Sequence, residues 1–388
     1  MSEAYYNIIK YINEYGGLSL EEEGFNEVDS LILCQLSYLN YASYVGGPNE
    51  NKPAVCLKDI MESDGYEEIF KGYWYYDDNK MLVEGVASSN RFGMLKLNCY
   101  ESVYNESKDA QFAAVTYILP DKSVYIAYRG TDATILGWKE DIKLAYSKPV
   151  RAQELATGYL KDVALQFSGK FRMGGHSKGG NLAVYAAMHS GDYLRDRMLD
   201  VYNHDGPGFR PEIINVQAIE NLGDRIHKYI PRGSVVGIIM DENSDYEIID
   251  SWGMGTLQHN TYNWKIDGNR FVRVDSMSTQ KRYMDSSLNQ WIWSLSETEV
   301  DAFVDLLYEI FTASDAKNLY DIWDNPTKAI SMGVDKYKSM DEEKKATVSG
   351  LMTRLKEIST ENASKEIKGV INEIKELWHE YGHKNRNT

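Results

Sequence analysis

The sequence predicts an α/β fold with a mostly parallel central sheet covered by helices. Between residues 111 and 277, short apolar runs alternate with segments whose apolar residues have helical spacing, which is the pattern of parallel sheets with crossover helices. A glycine-rich segment at 173–181 lies between one such run and a helix of small residues. The chain has 388 residues, of which 43% are apolar. It is therefore long enough to bury a substantial core.

The segment 1–110 predicts a helical or mixed region packed on the core. Residues 29–39 begin with the capping residue Asp29 and continue with apolar positions at helical spacing. Residues 46–60, which begin with Gly-Gly-Pro, are expected to be a loop. Residues 61–108 mix polar and aromatic side chains, and their pattern assigns no element.

The segment 111–277 predicts the sheet and its crossover helices. The runs 111–120 and 123–128 are expected to pair as a hairpin through Asp121 and Lys122. The remaining strands are expected at 170–173, 199–203, 225–230, 246–250 and 270–274. The helices are expected at 136–146, 153–167, 181–188 and 211–222.

The segment 278–388 predicts a helical extension, with helices over 288–311 and from 316 onward. Its part at 335–384 is rich in lysine and glutamate and carries a partial apolar stripe: Val348, Leu351, Met352, Leu355 and Ile358. Three arrangements are open: a helical hairpin packed on the core, an arm that forms a homo-oligomer, or a solvated helical tail.

Charge and composition narrow the classes of partner. The net charge of −16 disfavours nucleic acid and anionic membranes as partners. Cys34, Cys56 and Cys99 lack the spacing of a zinc site and give no disulfide framework. The first residues lack a basic region followed by an apolar core, and no run approaches 18 apolar residues, so neither a signal peptide nor a transmembrane helix is expected. We therefore expect a cytoplasmic protein.

The most informative motif is Gly175-His-Ser-Lys-Gly179. It fits G-x-S-x-G, the nucleophile elbow of α/β-hydrolases, in which a serine lies on a sharp turn between a strand and a helix. The predicted strand before the motif and the predicted helix after it have the required order. Ser177 is thus the candidate nucleophile. The alternative is a glycine-rich turn with an inert serine.

A nucleophilic serine needs a histidine base, which in α/β-hydrolases follows it late in the chain. Of the seven histidines, His259 lies in a loop after the predicted strand 246–250. His176 is adjacent to Ser177 in the elbow and cannot reach its hydroxyl. The other histidines come too early, lie within a strand or belong to the polar tail. His259 is the candidate base, and the alternative is an inert histidine in a surface loop.

The acid that orients the base has more than one candidate. Asp205 directly follows the strand after the elbow helix, at the sheet edge where α/β proteins bind ligands. Asp241 and Asp245 lie in a polar turn one strand later. The position of Asp205 is favoured over that of Asp241. The Gly-Pro-Gly that follows Asp205 is also compatible with a turn-stabilising aspartate.

An acyl-transfer site also needs donors for the oxyanion. One donor is the backbone N–H of the residue after the nucleophile, here Lys178. The other usually comes from a loop after an earlier strand, and Thr131 follows the strand 123–128 in Tyr128-Arg-Gly-Thr131. A strand-to-loop turn with Arg129 in an ion pair is the structural alternative, and the two interpretations are compatible.

These motifs together resemble those of the class-three lipases. Ala127-Tyr-Arg-Gly-Thr-Asp132, followed by Trp138 and Asp141, is similar to their F-R-G-T/S…W…D segment, and Gly175-His-Ser-Lys-Gly-Gly180 is similar to their elbow. The resemblance covers about 110–265. It is closer to a bacterial branch of that superfamily in Asp205-Gly-Pro-Gly-Phe209 and Gln258-His-Asn-x-Tyr-x-Trp264. It implies an α/β-hydrolase fold with Ser177 as nucleophile, His259 as base, and Thr131 with Lys178 as oxyanion hole.

The chain departs from the family pattern at two positions. Lys178 replaces the usual leucine, which changes the charge near the site. Ser234, in Ser234-Val-Val-Gly237, stands where the family carries its acid. This second departure favours an acid one strand earlier, at Asp205.

The sequence predicts a serine hydrolase that cleaves carboxylic esters through an acyl-enzyme. The expected substrate is an acyl lipid or a short-chain ester, with a thioester as an alternative, and no metal or cofactor is expected. The second hypothesis is a catalytically weak hydrolase fold that serves in binding or scaffolding.

Overall fold

An eight-stranded sheet lies at the centre of the described chain. The computed structural model describes residues 6–71, 75–105, 110–131, 143–144, 148–234, 236–241, 244–253, 255–275, 279–304, 338–351 and 353–362. In order across the sheet and along the chain, the strands are β1 (Val55–Cys56), β2 (Lys96–Asn105), β3 (Ala110–Ile118), β4 (Val124–Tyr128), β5 (Phe171–His176), β6 (Met198–His204), β7 (Ile226–Pro231) and β8 (Glu247–Ile249).

The sheet has an antiparallel part and a parallel part. The strands β1 to β4 pair antiparallel with their neighbours, and β4 to β8 run parallel. The hairpin of β3 and β4 turns at Lys122, whose φ of 68° is the left-handed conformation of a tight turn. The prediction of an α/β fold with a mostly parallel sheet is confirmed. A separate two-stranded ribbon follows the sheet: β9 (Ile266–Asp267) and β10 (Arg270–Phe271).

Helices cover both faces of the sheet. They are α1 (Ile8–Tyr15), α2 (Glu27–Leu36), α3 (Leu57–Met61), α4 (Tyr76–Ser88), α5 (Arg151–Gln166), α6 (Lys178–Met188), α7 (Asp192–Arg195), α8 (Val216–Leu222) and α9 (Thr279–Ser294). Side chains alternate in direction along a strand. Accordingly, Tyr125 and Ala127 of β4 pack in one core cluster with α1, α2 and α4. Val124 and Ile126 pack in the other, with α5 and α6.

Several expected features differ from the structure. The strand expected at 270–274 is formed only by Arg270–Phe271, which pairs with β9 outside the central sheet, while Arg273 bridges Ile249 of β8. The helix expected to begin after the cap Asp29 begins at Glu27, because the Asn26 side chain accepts from the Val28 and Asp29 N–H groups.

Residues 46–60 are not entirely loop, because β1 pairs with β2 and α3 follows it. The expected helix 211–222 is divided, since the side chain of Asn215 caps a new helix by accepting from the Ala218 N–H at 3.1 Å. The expected helix 288–311 is interrupted after Ser294. There Ser296 and Glu299 form a reciprocal capping box, which begins another helix at residue 297.

The described part of the carboxy-terminal extension packs on α9. The Trp291 indole donates to the Leu351 carbonyl at 3.0 Å, and Arg354 forms an ion pair with Glu299 at 2.7 Å. Leu351 is only 2% exposed, and Leu355 and Ile358 pack against the same core cluster. In the described residues, three members of the apolar stripe therefore pack on the core.

Some sequence features lie outside the described residues. These are most of the expected helix 136–146, the motif residues Asp132, Trp138 and Asp141, the stripe residue Met352, and 363–388. Among the helices that the structure describes, none is long and apolar enough to cross a membrane.

Candidate active site

Ser177 lies on a strained turn between β5 and α6. Its φ of 58° and ψ of −133° fall in a region that residues with a Cβ rarely adopt. The motif glycines allow the turn, because a Cβ at Gly175 would collide with the backbone of Gly179, and one at Gly179 would collide with the Tyr128 carbonyl. Ser177 is partly exposed, whereas His176 and Lys178 on either side are buried. The backbone therefore presents the serine side chain at the carboxyl end of the parallel strands.

Asp205 and His259 are in direct contact. Asp205 follows β6 with a φ of 54° and is fully buried, and His259 ends a short 3-10 helix, Gly255–His259. Nδ1 of His259 lies 2.6 Å from Oδ2 of Asp205. Because a carboxylate accepts hydrogen bonds, Nδ1 carries the proton in a neutral ring. Nε2 is then the atom that can accept a proton.

The Asp205 carboxylate has two further donors, both uncharged. The Ser234 hydroxyl donates to Oδ2 at 2.5 Å, and the Gly237 backbone N–H donates to Oδ1 at 3.0 Å. Both come from the turn after β7, the stretch that carries the acid in the lipases named above. Ser234 thus occupies the position at which those lipases carry their acid, and it contacts the candidate acid Asp205 from there. The sequence shows only that Ser234 replaces an acid and does not predict this contact.

Asp241, the alternative acid, has a different partner. Its carboxylate forms an ion pair with Lys228, and both side chains are only 4% exposed. It also accepts from the backbone N–H of Ser244 at 3.0 Å and from the Ser244 hydroxyl. The structure therefore brings Asp205, and not Asp241, into contact with His259. Asp245 is exposed.

The end of β4 passes beside the nucleophile. A Cβ at Gly130 would lie 3.1 Å from the Ser177 Cβ and would collide with the His176 carbonyl. Thr131, the next residue, is half-buried. Lys178 is the first residue of α6, so its N–H is among those that an α-helix leaves without an intrahelical acceptor. Its ammonium group is buried and donates to the backbone and side-chain oxygens of Gln111 at 2.9 and 2.7 Å.

His176 has partners that sequence reasoning did not foresee. Its Nδ1 lies 3.0 Å from the Tyr38 hydroxyl, and its Nε2 lies 2.9 Å from the backbone oxygen of His259. Burial and the neighbouring His259 hold the pKa of His176 well below its ordinary range. No local sequence pattern predicts the contact of Tyr38 with His176, because Tyr38 lies in the turn after α2 and is 138 residues away in sequence.

The amino-terminal helices anchor the segment that follows His259. The Thr261 hydroxyl donates to the side chain of Gln35 in α2 at 2.8 Å. The Tyr262 hydroxyl donates to the side chain of Asn79 in α4, also at 2.8 Å, and Gln35 and Asn79 contact each other at 2.9 Å.

Within the described residues, no group of three or more His, Cys, Asp or Glu side chains could hold a metal ion.

Comparison with known proteins gives a family and a structural likeness. Among solved structures, the crystal structure of M37 lipase is similar, with a TM-score of 0.33 and 16% sequence identity, over 54% of this chain and 68% of that chain. No curated protein sequence matches the chain. A family model described as Mbeg1-like matches residues 86–309, which is more than half of the chain. The chain therefore belongs to the Mbeg1-like family, a lipase-like family.

Proposed function

We propose that this protein is a serine hydrolase of the α/β-hydrolase type that cleaves carboxylic esters through an acyl-enzyme on Ser177. The observation that carries the proposal is the 2.6 Å contact between Asp205 and His259, on loops at the same sheet edge as the strained elbow. A serine on a tight turn, an imidazole and a buried carboxylate are the three groups that acyl transfer requires.

In the proposed reaction, His259 Nε2 takes the proton of the Ser177 hydroxyl as Oγ attacks the ester carbonyl. The backbone N–H groups of Thr131 and Lys178 stabilise the oxyanion of the tetrahedral intermediate. The protonated His259 then gives its proton to the departing alcohol, and the acyl group stays on Oγ. Water, deprotonated by His259, then attacks the acyl carbonyl. His259 returns that proton to Oγ as the acyl–Oγ bond breaks, which releases the carboxylic acid and restores Ser177. Asp205 stabilises the imidazolium throughout.

Two apolar side chains support an acyl substrate. Leu257 lies two residues before His259 and is 57% exposed, and Trp252, earlier in the same segment, is 38% exposed. The segment that carries the candidate base thus exposes a leucine and a tryptophan, which offer apolar surface to an acyl chain. We therefore favour an acyl ester or lipid with an apolar chain over a polar ester.

A fluorophosphonate probe tests the proposal directly, because it reacts with an activated serine. We expect the wild-type protein to be labelled and Ser177→Ala to remain unlabelled, with peptide mapping placing the adduct on residue 177. Ser123→Ala, in the hairpin turn at the opposite end of β4, is the matched control and should be labelled like the wild type. Absence of labelling in the folded wild-type protein would contradict the proposal and favour a role in binding or scaffolding.

A further inference from the structure

The side chains of Tyr38 and His176 link the amino-terminal region to the backbone of the candidate base. Tyr38 lies in the turn that follows α2, outside the residues 86–309 that the family model matches. Its hydroxyl lies 3.0 Å from Nδ1 of His176. The other ring nitrogen of His176 lies 2.9 Å from the His259 carbonyl oxygen. One imidazole thus has a partner on each side, contributed by two distant parts of the chain.

The two contacts fix the protonation of His176. A carbonyl oxygen only accepts hydrogen bonds, so Nε2 carries the proton and donates it to His259. Burial keeps the ring neutral by lowering its pKa. Nδ1 then carries an unprotonated lone pair and accepts a hydrogen bond from the Tyr38 hydroxyl. Tyr38 therefore favours the tautomer whose N–H holds the main chain of His259.

The ring of His176 also lies against the ring of His259. Their centroids are 4.4 Å apart, with an angle of 33° between the planes. In the proposed reaction His259 becomes a cation, and a second positive charge at this distance would oppose its formation. A neutral His176 avoids that repulsion.

The Tyr38 hydroxyl also lies close to Gly130, just after β4. A Cβ at Gly130 would collide with the Tyr38 hydroxyl and with the His176 carbonyl. Tyr38 itself is half-buried. The absence of a side chain at Gly130 therefore leaves room for the Tyr38 hydroxyl beside the elbow.

We propose that Tyr38 and His176 are positioning residues: the Tyr38 hydroxyl orients the His176 ring, and the His176 N–H holds the main chain of His259. This proposal rests on the proposed hydrolase function, in which His259 is the base. It also implies that the family-model segment alone lacks one component of the site, the hydroxyl of Tyr38.

Conservative variants of the full-length chain test the proposal. We expect Tyr38→Phe, which removes only the hydroxyl, to lower kcat about tenfold with KM changed less than threefold, since one hydrogen bond is worth about a factor of ten. His176→Phe should lower kcat further. His176→Gln should recover at least fivefold over His176→Phe, because its amide N–H can donate to the His259 carbonyl. The control is Tyr41→Phe, which removes a nearby hydroxyl that donates to the Leu36 carbonyl at 3.0 Å.

A second measurement does not depend on turnover. The Nδ1 proton of His259, shared with Asp205, is expected to give a far-downfield proton NMR signal. We expect that signal to shift or broaden in Tyr38→Phe and His176→Phe and to persist in Tyr41→Phe. An unchanged signal, together with kcat values equal to those of Tyr41→Phe, would overturn the proposal. Failure of wild-type fluorophosphonate labelling would instead contradict the proposed function, while the NMR signal still reports whether His259 is held.

Discussion

Two neighbouring loops at the carboxyl edge of the sheet each hold a buried aspartate, and they use it differently. Asp205 follows β6, and Asp241 follows the turn after β7, one residue beyond Met240 with its φ of 57°. The loops contact each other, since the Gly208 N–H donates to the Ile239 carbonyl at 2.8 Å. Asp205 accepts from uncharged donors and from His259, whereas Asp241 is neutralised by the Lys228 ammonium group.

The difference indicates which of the two carboxylates can stabilise a positive charge that forms on a neighbouring histidine. A carboxylate paired with a buried lysine is already compensated, and the pair mainly stabilises the fold if its geometry is good. The donors described for Asp205 other than His259 are uncharged, a hydroxyl and a backbone N–H. In the proposed reaction, Asp205 can therefore stabilise the imidazolium that forms at His259.

The largest effect is expected from replacing each aspartate by asparagine. Asp205→Asn removes the charge and favours the wrong tautomer of His259, so we expect kcat for a p-nitrophenyl ester to fall by about 10⁴-fold with little change in fold. Asp241→Asn leaves the Lys228 ammonium buried without its counter-ion. It should lower the free energy of unfolding by roughly 3–5 kcal/mol while kcat stays within a few-fold of wild type.

Each of these two variants is the control for the other. Ester hydrolysis and urea unfolding should be measured on both proteins under the same conditions. The comparison fails if Asp241→Asn abolishes turnover in a folded protein while Asp205→Asn leaves it intact, because the acid would then be Asp241.

The sequence predicts the parts of this site that depend on local order along the chain. The elbow is readable because its glycines, its strand and its helix are contiguous, and Asp205 and His259 follow in the order that acyl-transfer sites of this type use. The contacts that distinguish the two aspartates are not local. Lys228 and Asp241 are 13 residues apart, and Ser234 and Asp205 are 29 apart. Spacings of this kind give no periodic signal.

In the amino-terminal region, secondary structure itself is hard to predict from the sequence. The pattern of residues 61–108 predicts no helix or strand, yet this segment contains α4 and the ten-residue strand β2. The pattern of β2 is disturbed by an irregularity between Asn98 and Glu101, with Cys99 at a φ of 54°. An extra residue in a strand reverses the direction of the side chains that follow, so strict alternation is lost. Tyr38 was missed for a related reason, since only the tertiary fold brings it to His176.

An intermediate effect is expected from the hydroxyl that each aspartate accepts. Ser234→Ala removes a buried donor from Asp205, and a hydrogen bond to a charged group contributes about 1.5–3 kcal/mol. We expect kcat to fall roughly 10- to 100-fold. Ser244→Ala, which removes the equivalent hydroxyl from Asp241, should leave kcat unchanged. Equal kcat values for the two variants would show that the donor set of Asp205 has no catalytic consequence.

The smallest effect is expected on the pH dependence of the free energy of unfolding. It concerns His204, the residue before Asp205, whose counterpart at the other loop is Lys228, the ion-pair partner of Asp241. Burial lowers the pKa of His204 to about 3, against about 6.5 in an unfolded chain. The unfolded state therefore binds more protons between these values. The resulting stability is complete above pH 6.5 and is lost as the pH falls toward 3, by about 1.4 kcal/mol per pH unit. In His204→Phe, the pH slope of the unfolding free energy between pH 6 and pH 4 should be shallower by about that amount. Urea unfolding at several pH values measures it, and the constant cost of repacking cancels because only slopes are compared. A slope equal to that of the wild type would mean that His204 binds its proton over the same pH range in the folded and unfolded states, which would remove this contrast between the two loops.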